Sequence, residues 1–63
     1  MKPKWTGDIV GAMHIYDIKQ KDLADAAGMS NAYAGMILNG VREPRGGRER
    51  LETALRKLTE ART

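Results

Sequence analysis

Residues 20–40 read QKDLADAAGMSNAYAGMILNG, and two short helices joined by Gly28-Met29-Ser30 account for the order of residue types in this stretch. Leu23, Ala24 and Ala27 fall at i, i+1 and i+4, on one face of a helix predicted over residues 20–27. Gly28 follows where a helix end calls for left-handed backbone, which a residue without Cβ adopts at little cost. Ser30 is a suitable N-cap for a next helix over residues 31–38, and Asn39-Gly40 closes that helix with residue types that tolerate positive φ. Ala24 is small where the two helices must cross closely, and Leu23, Met29, Ala34 and Ile37 form the predicted seam between them. This is the outline of a helix-turn-helix, and it requires several residue types at fixed spacing rather than one glycine.

Outward from this stretch the pattern stays helical. Ile9, Val10, Met13 and Tyr16 recur at helical spacing over residues 7–16, with Thr6 as the expected N-cap, Asp8 at the positive end of the dipole, and Trp5 and Val10 as a hydrophobic staple. Asp17-Ile18 reads as a short connection. After residue 40, Pro44 and the pair Gly46-Gly47 mark residues 41–47 as a surface loop. Residues 48–62 then place Leu51, Ala54, Leu55 and Leu58 on one face, with Glu52 four residues before Arg56, the favourable order for an ion pair; fraying is expected only in the last one or two residues. Four main helices are thus predicted, near 7–16, 20–27, 31–38 and 48–61, around a core including Ile9, Met13, Leu23, Ala24, Ile37, Leu51 and Leu55.

Composition bounds what such a bundle can do. At 63 residues the chain holds a single domain over 1–63, and a domain of that size buries only about 60% of the surface of its unfolded chain. Lack of cysteine removes disulfides and thiolate metal sites, and one histidine, His14, cannot assemble a zinc site without several partners. With no Cys or convergent carboxylate pair beside it, His14 reads as a surface or edge residue of the first helix and not a catalytic base. No cofactor, metal or small-molecule effector is expected, and no catalytic residue is assigned. The apolar run after Lys2 and Lys4 is broken by Asp8 and His14, which argues against a signal peptide or a membrane span, so a cytoplasmic protein is expected. Eleven Lys and Arg against eight Asp and Glu give a net charge of +3, permitting a polyanionic partner.

The segment 20–40 resembles the lambda-repressor/Cro family of helix-turn-helix proteins, with Gln20 opening the second helix, then Ala24, Gly28-Met29, and Asn39-Gly40 closing the third. The similarity extends to the layout: one helix before the motif, then an Arg- and Pro-containing loop and a further helix. The resemblance implies an all-α, four-to-five-helix DNA-binding domain, a bacterial or phage setting, and a contact from Gln20 both to a backbone phosphate and to the polar residue opening the third helix, here Asn31. Two positions depart from the family pattern. Lys19 replaces the Ser or Thr often found before the second helix, weakening its cap, and Gly35 sits inside the third, costing about 1 kcal/mol relative to Ala. Gly35 suggests that something approaches the backbone closely there.

The charge distribution adds an independent argument. Residues 26–41 hold no ionisable group except the phenol of Tyr33, while Lys19, Lys21, Arg42, Arg45 and Arg48 flank them. Flanking cations suit phosphates, and neutral residues between them suit base edges. Asn pairs bidentately with adenine, Ser donates or accepts, and an Ala methyl touches the thymine methyl. Ser30, Asn31, Ala32, Gly35 and Met36 are therefore the base-reading candidates. The phosphate-binding candidates are Gln20, Lys21, Tyr33, Asn39, Arg42, Arg45 and Arg48, with Lys2 and Lys4 as a short basic arm and Tyr33 open to packing instead. Ala34, Ile37 and Leu38 are assigned to the core.

The function expected from this reading is sequence-specific binding of double-stranded DNA by a small transcriptional regulator, a repressor or Cro-like switch protein, acting as a homodimer on an inverted-repeat operator. Its competitor is a protein-interaction module on the same fold, such as an antitoxin or an accessory subunit of a recombination complex, for which the neutral patch around Ala32, Gly35 and Met36 would be the contact surface.

Overall fold

The computed structural model describes residues 2–61. Four helices follow in order, α1 (Lys4–Tyr16), α2 (Gln20–Ala27), α3 (Asn31–Leu38) and α4 (Gly47–Ala61), and no strand occurs among the described residues. The predicted helical pattern at Arg62 and the expected fraying of the last residues lie outside the described residues. α2 and α3 match their predicted spans. α1 begins earlier than expected: its N-cap is Pro3, whose fixed φ of −62° suits the entry to a helix, and Thr6 lies inside the first turn. Thr6 is buried, and its hydroxyl donates to the Pro3 carbonyl at 2.7 Å, so it is a satisfied interior residue and not the cap. Asp8, displaced from the first turn by that shift, pairs with Lys4 at 3.5 Å. The staple fails for the same reason, since Val10 is 48% exposed while Trp5 packs against the core.

The first three helices share one ending. At Asp17, Gly28 and Gly40 the chain turns left-handed, with φ of 57°, 71° and 78°. In each case the next N–H reaches back five residues, from Ile18 to Met13 at 2.8 Å, Met29 to Ala24 at 3.0 Å and Val41 to Met36 at 2.9 Å. This satisfies carbonyls that a helix end leaves orphaned, and at the first two ends it folds Ile18 and Met29 back onto the bundle, whereas Val41 stays exposed. Ile18 is buried in this way, so the Asp17-Ile18 connection contributes to the core. Lys19 makes no side-chain cap on α2, whereas the Ser30 hydroxyl accepts from the Tyr33 N–H at 3.1 Å on α3.

Leu23, Ala24, Ala34 and Leu51 are fully enclosed, with Ile9, Met13, Ile18, Ile37, Leu38 and Ala54 around them. The expected core is thus present except that Leu55 is half-buried at its margin, and Tyr16 lies on the exposed side of α1. α4 packs most extensively on α2, and α2 on α3, so the helix pair 20–38 rests on the long last helix. Gly47 corrects the loop reading: it is buried and opens α4, with Ile37 Cδ1 3.7 Å and Pro44 Cγ only 2.8 Å from where a Cβ would stand. On the outer face of α4 Glu52 pairs backward with Arg48 at 3.3 Å, while the expected partner, Arg56, donates to Thr53 Oγ1. No helix among the described residues is long and apolar enough to cross a membrane.

Candidate nucleic-acid interface

α3 has two unlike faces. Ala34, Ile37 and Leu38 are buried, as assigned from the sequence, and the opposite side exposes Asn31, Ala32, Met36 and Asn39, with Gly35 half-covered between them. Ser30 is exposed at the start of this surface while its hydroxyl caps the helix. The five base-reading candidates therefore lie together along the outer side of α3. Tyr33 is half-buried and packs against the core.

Gln20 and Asn31 are joined across the turn. Gln20 Nε2 donates to the Asn31 main-chain carbonyl at 3.1 Å and to Asn31 Oδ1 at 3.0 Å. A main-chain carbonyl can only accept, which fixes the Gln20 atom as the amide nitrogen and the Asn31 atom facing it as oxygen. Asn31 then turns its own Nδ2 elsewhere, keeping two donors and a remaining Oδ1 lone pair. Gln20 Nε2 is thus engaged by Asn31 through both contacts, while the Gln20 main-chain N–H lies in the first turn of α2, where helix amides lack an intrahelical partner. The close approach suspected at Gly35 is this same amide, since a Cβ there would stand 3.0 Å from Gln20 Nε2.

The cationic candidates are less uniform. Lys21, Arg42 and Arg45 are exposed. Arg48 lies 5.9 Å from the Trp5 ring centroid and is bound to Glu52, which ties it to the α1–α4 side of the bundle. The Asn39 amide donates to the Gly35 carbonyl at 2.8 Å. An open groove of about 650 Å³ brings the arm residues Lys2 and Lys4 together with Gln20 and Asn39. Lys2 also reaches the end of α3, its Cγ 3.6 Å from where a Cβ on Gly40 would be.

Arg50 is the residue that sequence reasoning passed over. From α4 its guanidinium donates to the carbonyls of Ala27 at 2.8 Å and Gly28 at 3.1 Å, placing a cation on the negative end of α2 and holding the turn into α3. The partners are more than twenty positions away in sequence, and on α4 the residue looks like any other solvated charge. Among the described residues no cluster of His, Cys, Asp or Glu could hold a metal ion.

No curated protein and no solved structure matches the chain. A family model described as helix-turn-helix matches residues 16–48, just over half of the sequence, from the end of α1 to the start of α4 and across the whole α2–α3 unit. With its four helices, its turn and its outward-facing third helix in place, the chain belongs to the lambda-repressor/Cro-like helix-turn-helix family of DNA-binding regulators.

Proposed function

We propose that the protein is a sequence-specific transcriptional regulator, a repressor or Cro-like switch protein of bacterial or phage origin acting in the cytoplasm or nucleoid, and that it lays α3 in the major groove. The observation that carries this reading is the outer face of α3: an uncharged strip on which the primary amide of Asn31, at the start of the helix, is held in a fixed orientation by Gln20. An amide presenting Nδ2 donors beside a free Oδ1 lone pair matches N7 and N6 of adenine. Ala32 and Met36 offer apolar contact beside it, and Ser30 and Gly35 border the strip. Exposed Lys21, Arg42 and Arg45, with the Gln20 N–H, Asn39 and the Lys2–Lys4 arm, supply the phosphate contacts; Tyr33 and Arg48 contribute less, being held by the core and by Trp5 and Glu52.

A functional dimer on an inverted repeat belongs to the same proposal, because one module reading a few base pairs gains specificity only when a second is placed beside it. Selection of bound sequences from a random duplex pool tests it. The expected result is an enriched inverted repeat, each half with an adenine whose exchange costs about 1–3 kcal/mol. Equal recovery of all sequences would sink the reading.

A further inference from the structure

We infer that Gly35 is a specificity-determining position of the α3 surface, and that it works through what it lacks: with no Cβ it leaves room for the Gln20 amide to hold Asn31 in register. The inference rests on α3 being the base-reading helix and goes beyond it by assigning control of the reading residue to a position on the next turn. Asn31 and Gly35 are four residues apart, so they share one face of α3, and the Gln20 carboxamide lies against both. Its nitrogen is 3.1 Å and 3.0 Å from its two acceptors on Asn31. A Cβ at Gly35 would be 3.0 Å from that nitrogen, 3.7 Å from Gln20 Cδ and 3.8 Å from Oε1. A methyl group there pushes the whole carboxamide outward by some tenths of an ångström, and both bonds to Asn31 lengthen together. Asn31 is exposed, so once its oxygen is released its amide turns about χ2 and stops presenting one fixed donor-acceptor pair.

The two glycines within α1 sharpen the contrast. Gly7 and Gly11 of α1 have nothing within 4 Å of a Cβ, whereas the glycine in α3 is matched to one side chain from another helix. A mid-helix glycine weakens a helix, and at Gly35 that weakness coincides with the clearance the amide needs. Gly35 is a positioning residue in this scheme, acting on the base through Gln20 and Asn31.

The test uses the whole chain in four forms: wild type, Gly35→Ala, Gln20→Ala and the double variant. Without DNA, the side-chain amide resonances of Gln20 and Asn31 report the bridge. In Gly35→Ala they are expected to move toward solvent-averaged positions while the backbone spectrum stays that of the folded domain. With DNA, sequences selected from a random duplex pool report base preference. Gly35→Ala is expected to lose about tenfold discrimination at the base pair that Asn31→Ala also relaxes, with other positions unchanged. Adding Gly35→Ala to Gln20→Ala should change nothing further, because the amide it displaces is already gone. Unmoved amide resonances and an unmoved profile in Gly35→Ala would overturn the inference. So would an equal loss in the Gln20→Ala background, which would mean that the methyl acts directly on DNA. If Gly35→Ala does not fold, a folded double variant with the Gln20→Ala profile still supports clearance for Gln20, and a double variant that also fails to fold overturns it. A wild-type protein that enriches no sequence refutes base reading by α3 itself, a failure visible separately from the amide resonances.

Discussion

Asn31→Ala removes the amide that Gln20 holds on the outer face of α3, and the expected outcome is relaxed discrimination at one base pair with a loss of about 1–3 kcal/mol on the cognate site. Non-specific affinity should stay nearly constant, because no charge is removed. Arg42→Ala or Arg45→Ala should do the converse, weakening binding to every duplex and flattening its dependence on salt. Titrations of cognate and scrambled duplexes at several ionic strengths separate the two behaviours, and an unchanged base profile in Asn31→Ala would remove this residue from the interface. A second expectation at this scale concerns stability alone. Gly7 and Gly11 lie within α1 with open space where a Cβ would go, so replacing either by Ala should stabilise the fold by about 0.5–1 kcal/mol, read as a higher midpoint in chemical unfolding.

At the scale of elements, α4 sets the orientation of the helix pair that carries the interface. Leu51 and Ala54 form the apolar part of that support, and Arg50 adds the polar part by closing on the carbonyls of Ala27 and Gly28. Arg50→Met keeps most of the side chain and removes two charge-assisted bonds from an exposed site, so a loss of about 1 kcal/mol in unfolding free energy is expected. Amide exchange should also quicken across residues 27–30, where the turn loses its clamp. The entry to α4 is less forgiving. Gly47→Ala drives a methyl to 2.8 Å from the ring carbon of Pro44, a group unable to swing aside, and should destabilise by about 1–3 kcal/mol despite its higher helix propensity. A variant as stable as the wild type would mean that the 41–46 loop yields readily.

The whole molecule is small, with Cα extents of 31 × 22 × 17 Å. Half-sites one helical turn apart lie about 34 Å centre to centre, so two copies on one face of a duplex meet only near their edges. An edge contact buries little surface, and the dimer is therefore expected to assemble on DNA and not in free solution. Sedimentation should find single chains alone and two chains per duplex on an inverted repeat. A one-to-one complex at saturating protein would rule out the dimer. Leu58, on the apolar face of α4, is half-buried against the protein's own core, so Leu58→Glu should lower stability as well as any pairing through that helix.

What the sequence determined by itself is what depends on near neighbours along the chain. The spans of α2 and α3, the left-handed Gly28, the Ser30 cap and the core assignment of Ala34, Ile37 and Leu38 follow from helical spacing and from the backbone preferences of single residues, and these operate within a few positions. Family membership was legible for the same reason, since the motif is local. Tertiary structure decided whatever joins distant positions. Thr6 became interior because α1 starts a turn early to pack Trp5 on the bundle, Gly47 became buried because Pro44 and Ile37 close on it, and Arg50 found the end of α2 from another helix. The Gln20–Asn31 bridge stands between these cases: family resemblance implied it, but its donor and acceptor assignment and its fit against Gly35 depend on the crossing of α2 and α3, which no periodicity along the chain encodes.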